Sequence, residues 1–277
     1  MFDTQYIDPK TIDEALTLKN KYKTDARILA GGTDLILLAK EKNSHFKYFI
    51  DIKKIPELHT LEFCKNQGLS IGAAVNLNRI IDFTPVKEKY PIIQESAKTL
   101  ANYLLRNRAT LVGNICNASP GGDLLSTALV LNAKLECRSV DKTRMIELNQ
   151  FFTGVKTNIL QDNEIVTKIV FPSIKGKGFY MKKSRIKGHD IAQVGMAGFL
   201  DDNNNLNIAL NAVSPTPVLI KAGTFNKLDL LDENNIKTIT QKVLENICPI
   251  DDQRCSKEYR ISIVKHFTLE ILKNLAK

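Results

Sequence analysis

The sequence predicts an α/β architecture followed by an α+β one, and three observations carry that reading. Strand-like and helix-like apolar patterns alternate up to Pro172. A glycine–lysine stretch, "SIKGKG" from Ser173 to Gly178, then changes the composition. Beyond it come alternating strand patterns and a helical final third.

In chain order, "TIDEALTLKNKY" (Thr11 to Tyr22) has the form of a capped amphipathic helix, with Thr11 as N-cap and Glu14 three places on. "ILAGGTDLILLAK" (Ile28 to Lys40) reads as a strand end, a sharp turn at Gly31 and Gly32, and a buried helix from Leu35, with Thr33 or Asp34 as its cap. Such a turn aims backbone N–H groups at an anion above it, or is a tight turn with no ligand. "KYFIDIKKI" (Lys47 to Ile55) is a strand ended by Pro56 and completes one α/β unit. "GLSIGAAVNLNRII" (Gly68 to Ile81) is a strand running into a short helix. "YPIIQESAKTLANYLLRN" (Tyr90 to Asn107) reads as one helix with Pro91 in its first turn.

Next comes "RNRATLVGNICNASPGGDLLSTALVLNAKLECRS" (Arg106 to Ser139). Gly113, Asn114, Asn117, Ser119, Pro120, Gly121 and Gly122 predict a structured loop rich in backbone donors rather than one regular element. A helix from Leu124 to Leu131 and a strand from Lys134 to Ser139 follow, then a strand over Asn163 to Pro172. After the hinge, "GFYMKKSR", "IAQVGMAGFLD" and "NIALNAVSP" are strands, with "DDNNN" (Asp201 to Asn205) as a hairpin turn. Ile236 to Asn246 and Ser256 to Ala276 are helices, the second with apolar residues at Ile261, Val264, Leu269 and Leu272.

Composition narrows the function classes. The 277 residues suffice for two domains, with 43% hydrophobic and 25% charged residues. No apolar run reaches the roughly 20 residues of a membrane span, and "MFDTQYIDPK" has no secretory pattern, so a cytoplasmic protein is expected. The net charge of +9 is dispersed, without aromatic interleaving or a nucleic-acid motif, which favours anionic ligands or acidic partner subunits. Five cysteines without CxxC spacing argue against zinc or an iron–sulfur cluster within this chain. The four histidines, His45, His59, His189 and His266, are isolated in sequence.

No catalytic triad, metal cluster or carboxylate pair is apparent, and two glycine/Asn/Thr/Ser loops suggest a cofactor platform. Amides at Gly31, Gly32 and Thr33 can take a pyrophosphate, Asp123 can accept from ribityl or ribose hydroxyls, and Asn114 can hold a polar ring edge. The spacing is neither GxGxxG nor a Walker A loop. Cys116 reads as a small apolar residue, and Tyr259 and Arg260 as packing for the terminal helix.

"AGGTDL" followed by "RNRATLVGNICNASPGGD" resembles the flavin-binding medium subunit of the molybdenum hydroxylases, the xanthine dehydrogenase and carbon monoxide dehydrogenase type. "FFTGVKTNILQDNEIVTKIVFP", "FYMKKSRIKGHDIAQVGMAG", "NIALNAVSPTPV" and "PIDDQRCSKEYRISIV" extend the resemblance, in order, over nearly the whole chain. The resemblance implies a two-subdomain FAD-binding domain of the PCMH type over 1–173 (subdomains about 1–56 and 57–173). A C-terminal flavoprotein domain of a small antiparallel sheet and helices would occupy 174–277. It implies non-covalent FAD, with Leu29, Ala30, Gly31, Gly32, Thr33, Asp34 and Leu35 at the pyrophosphate loop. The family's TIGGN loop falls on Thr110 to Asn114, including Gly113, with Asn117, Ser119 and Asp123 beyond it. Ile165 and Val166 fall beside the isoalloxazine and Lys182 near it. Val112 replaces the first glycine of GGN, and Ala109 replaces a common glycine.

The implied function is electron transfer from iron–sulfur clusters through FAD to an acceptor such as NAD. An iron–sulfur subunit and a molybdopterin subunit would be partners, as a heterotrimer able to dimerise. No catalytic residue, metal ligand, nucleic acid or membrane is expected for this chain. The competing readings are a non-catalytic scaffold retaining the fold and a stand-alone flavin oxidase.

Overall fold

The computed structural model describes residues 4–41, 46–186 and 188–277; His45 lies outside them. The first unit comprises β1 (Gln5–Ile7), α1 (Ile12–Tyr22), β2 (Ala26–Leu29), α2 (Leu35–Ala39) and β3 (Tyr48–Asp51). Its strands form a parallel sheet in the order β1-β3-β2. Thr11 caps α1 as expected, its hydroxyl accepting the Glu14 amide at 3.2 Å, and the Glu14 carboxylate accepts the Lys10 amide at 2.7 Å. The strand expected over Lys47 to Ile55 is shorter, because the chain turns after Asp51 with the Ile55 amide bonded to the Ile52 carbonyl.

α2 is not the buried helix its apolar run predicts. Only Ala39 is buried, while Leu37 is 63% exposed. Leu35 and Ile36 pack into a small cluster with Leu29, Ala39, Phe46 and Phe49, which leaves the opposite face of this single turn uncovered. Asp34 takes the N-cap position without a side-chain cap; its carboxylate accepts the Thr33 hydroxyl at 3.3 Å instead.

The second unit contains β4 (Leu61–Cys64), β5 (Gly68–Gly72), α3 (Leu77–Asp82), α4 (Thr84–Lys89), α5 (Pro91–Thr99), α6 (Tyr103–Arg106), α7 (Leu111–Cys116) and α8 (Leu125–Val130). It continues with β6 (Lys134–Arg138), β7 (Thr143–Glu147), β8 (Phe152–Gly154), β9 (Thr157–Asn158) and β10 (Ile165–Phe171). β4-β5-β10-β6-β7 form an antiparallel sheet with β10 at its centre, and β8 and β9 make a separate ribbon.

The helix expected over Tyr90 to Asn107 is two helices. Ala101 adopts φ 49°, a left-handed conformation that interrupts the run, and Asn102 starts α6 by accepting the Leu105 amide at 2.9 Å. Arg106 stabilises the break by donating from Nη1 to the carbonyls of Lys98, Leu100 and Ala101. Part of the expected Gly113 loop is also regular. Thr110 caps α7, its hydroxyl accepting the Gly113 amide at 2.9 Å, so Gly113 and Asn114 are helical.

The last unit holds β11 (Gly176–Lys183), β12 (Val194–Asp201), β13 (Asn205–Asn211), β14 (Val218–Thr224), α9 (Glu233–Glu245) and α10 (Lys257–Ala276). The strands form an antiparallel meander, and Asp201 makes the expected hairpin turn by accepting the amides of Asn203 and Asn205. Period-two alternation gives this sheet two apolar faces. Val194, Met196, Leu200, Leu206, Ile208 and Leu210 pack with α9 and α10. Tyr180, Ala197, Phe199 and Ala209 join the core of the preceding units. Gly198 permits the closeness of α10, because a Cβ there would stand 2.3 Å from Ile271 Cγ2. On α10 the buried stripe is Val264, Phe267, Ile271, Leu272 and Leu275, whereas the expected Ile261 and Leu269 are half-buried. No helix among the described residues is long and apolar enough to cross a membrane.

Candidate functional site

The turn after β2 lies beyond the carboxyl ends of the parallel strands, where open α/β sheets present their ligands. Gly32 has φ 73°, which only glycine adopts without strain. Gly31 is needed for another reason. A Cβ built on it would lie 2.2 Å from the Arg108 carbonyl oxygen and 2.9 Å from Ala109 Cα. The two glycine-bearing segments singled out in the sequence are therefore in backbone contact. The room for that approach comes from Gly31, so Ala109 fits with its own side chain buried. Among the described residues, the amides of Gly31, Gly32 and Thr33 have no acceptor within the chain.

From Ala109 the chain enters α7, which packs on β10. Ile165 and Val166, at the start of β10, are 2% and 4% exposed and share the main core with Ala109, Leu111 and Val112. Asn114 braces the following loop, its Oδ1 accepting the Leu124 amide at 3.3 Å. Gly122 makes this possible, since a Cβ there would already meet that Oδ1 at 3.2 Å. The Asn117 amide closes α7 onto the Gly113 carbonyl, Ala118 turns with φ 47°, and the Ser119 carbonyl accepts the Gly122 amide at 2.9 Å. Burial pushes the Cys116 thiol up to about 12, so it stays a neutral packing group.

The loop ends at Asp123, which meets Lys182 of β11. Lys182 Nζ lies 2.8 Å from Asp123 Oδ2, with both side chains under one-tenth exposed. Nζ also donates to the Thr99 carbonyl at 3.1 Å. Asp123 Oδ1 is buried and accepts no hydrogen bond from the described residues. Burial pushes the Asp123 carboxyl up to about 6 despite the neighbouring ammonium. Tyr180, two residues before Lys182 on β11, is buried, and its hydroxyl is held well above its ordinary range by burial and then by Asp123's charge.

The structure thus sets Gly31 against Arg108 and Ala109, immediately before Thr110, and joins Asp123 to Lys182 of β11; the glycine–lysine stretch expected as a hinge is half strand, since Gly176 to Gly178 pair with β12. Tyr180 and Thr99 escaped the sequence reading. The i, i+2 spacing of Tyr180 and Lys182 placed them on one strand face, whereas Thr99 contributes a main-chain carbonyl that no residue type announces. Arg260 is not simple packing. It is 3% exposed, donates to the Gln193 and Ala212 carbonyls, and pairs with Asp252 at 2.8 Å.

Two of these observations fit FAD. The buried unpartnered oxygen of Asp123 needs a donor such as a hydroxyl or ring N–H, and the glycine turn offers amides suited to a diphosphate.

Comparison with known proteins agrees. Residues 2–174 match the FAD binding domain in molybdopterin dehydrogenase, and residues 179–275 match the CO dehydrogenase flavoprotein C-terminal domain. The chain is 27% identical over 281 aligned residues to the xanthine dehydrogenase FAD-binding subunit of Escherichia coli O157:H7, covering 98% of this chain and 96% of that one. It is 30% identical to the glyceraldehyde dehydrogenase medium chain of Sulfolobus acidocaldarius, covering 98% of each. Its structure is similar to the solved carbon monoxide dehydrogenase of Hydrogenophaga pseudoflava that lacks the Mo-pyranopterin moiety, with a TM-score of 0.90, 26% identity, and coverage of 99% of this chain and 96% of that one. With both domains matched in order and end to end, the chain belongs to the FAD-binding medium subunits of the xanthine dehydrogenase and carbon monoxide dehydrogenase family of oxidoreductases.

Proposed function

We propose that this chain passes electrons from iron–sulfur clusters on one partner subunit to an acceptor such as NAD, while a molybdopterin subunit oxidises the substrate. Bound FAD supplies the two-electron and one-electron redox chemistry; the chain positions it. The turn from Leu29 to Leu35 faces the diphosphate. Thr110, Gly113, Asn114, Asn117 and Ser119 shape the adjoining wall. Asp123 accepts from the ribityl or ribose hydroxyls, Lys182 holds that carboxylate in place, and Ile165 and Val166 back the ring. The FAD-binding domain spans 1–173, with subdomains meeting near residue 56, and the flavoprotein C-terminal domain spans 174–277. The complex is a cytoplasmic heterotrimer able to dimerise, without nucleic-acid or membrane contacts.

One observation carries this reading: the Gly31 backbone rests on Arg108 and Ala109, which brings the two donor-rich segments side by side. The names of two relatives, both medium chains or FAD subunits of dehydrogenases, support a partnered role over a stand-alone oxidase. The experiment is a titration of the purified chain with FAD. A yellow protein that releases intact flavin on heating or in acid is expected, and a colourless one that ignores added FAD would refute the assignment.

A further inference from the structure

The loop from Asn117 to Asp123 is held from outside as well as from within. The Ala212 amide donates to the Pro120 carbonyl at 2.6 Å. Ala212 follows β13 with φ 66°, a conformation disfavoured for a residue with a Cβ. Something must therefore keep Ala212 there. Its carbonyl accepts from Arg260 Nη1 at 2.6 Å, and the same Nη1 donates to the Gln193 carbonyl just before β12. Arg260 Nη2 is fixed by Asp252, whose carboxylate is oriented by the Arg254 and Cys255 amides. Gln193 is anchored twice more, by its amide on the Lys183 carbonyl and by its side chain on the Arg254 carbonyl. The segment leading into Gln193 also reaches the loop, since a Cβ on Gly121 would meet Ile191 Cγ2 at 2.8 Å.

We propose that Arg260, on the C-terminal helix, is a positioning residue for the FAD loop. One buried guanidinium grips the Gln193 and Ala212 carbonyls, which flank the adjacent ends of β12 and β13, and the strained Ala212 amide passes that constraint to Pro120, three residues before Asp123. A planar cation with several fixed donors suits this task, whereas an ammonium offers no such fork. The inference rests on the assignment of the Asn117–Asp123 loop to FAD made above.

The test uses the full chain and the variants Arg260→Met and Arg260→Lys, with Leu272→Ala as a core variant of comparable thermal stability. Amide hydrogen exchange is read first, because it needs no FAD. Arg260→Met is expected to accelerate exchange at Ala212 and across residues 117–123, Arg260→Lys to recover part of the protection, and Leu272→Ala to leave that pattern alone. Equal exchange in Arg260→Met and the unaltered chain overturns the inference, as does an identical pattern in Leu272→Ala. FAD titration is read second. Arg260→Met should weaken binding about tenfold or more, the size of a lost hydrogen bond to a charged group. Combined with Asp123→Asn, its effect should be smaller than the product of the two alone. Independent effects overturn the route through the loop. A loosened loop with undiminished FAD affinity would instead condemn the assignment of that loop to FAD.

Discussion

The two halves of the proposed FAD site are built on opposite physical terms. The Gly31–Gly32 turn offers only backbone, carries no charge of its own, and depends on missing side chains. The Asp123–Lys182 pair is made of side chains, charged, buried, and contributed by the loop before α8 and by β11. The first half is therefore sensitive to volume and indifferent to pH. The second is sensitive to charge and pH and tolerant of small changes in shape. A cofactor that carries a diphosphate and, beyond a ribityl chain, a polar ring is matched by such a division.

The largest effect should come from Gly31→Val. Its branched side chain cannot coexist with the Arg108 carbonyl, so the two segments must part. We expect loss of FAD binding and a stability cost of about 3 kcal/mol, the upper range for overpacking, read by titration and urea melts. Undiminished binding would erase the contrast, since the turn would then not need its bare backbone. Lys182→Met comes next. It leaves a buried carboxylate without its cation, costing about 3 kcal/mol at pH 8, and much less at pH 5, where the carboxyl takes up a proton.

The sign follows from the Asp123 carboxyl, which the fold raises from 3.8 to about 6. The folded state then binds that proton more tightly than the unfolded chain does. Its contribution is greatest below about pH 4 and is lost as pH rises through 6. Asp123→Asn should flatten this part of the stability profile, and an unchanged slope between pH 4 and 7 would disprove the linkage. A smaller effect is expected from Asp123→Ala on FAD affinity, a weakening of about tenfold to a hundredfold for one charge-assisted hydrogen bond. Smallest is Thr110→Ala. It removes the cap of α7 at about 1 kcal/mol while leaving the backbone of the Gly31 contact in place, so FAD affinity should fall less than in Asp123→Ala in the same titration.

Most of the architecture was legible because it is local. Thr11 caps α1, Pro91 opens α5, and Asp201 turns the hairpin, each through bonds spanning only a few residues. The failures share a non-local or conformational cause. Nothing in "AKTLANYLL" announces that Ala101 adopts a positive φ, because its stabiliser is Arg106 reaching back to carbonyls. The Leu35 run looked buried, but how much of an apolar helix is covered depends on neighbours far away in sequence. In the site, the glycine and aspartate positions stood out by residue type. The Lys182 partner of Asp123 is 59 residues distant, and the Ala212 clamp on Pro120 uses main-chain atoms alone.

The β11–β14 sheet has one further consequence, for anyone wishing to dissect the chain. Its one side is roofed by α9 and α10, and its other side by Tyr180, Ala197, Phe199 and Ala209 lying against the earlier units. Severing the polypeptide just before β11 would strip the floor from one fragment and open a hole in the other. Each fragment should stick to itself when made alone, and co-expression should rescue both.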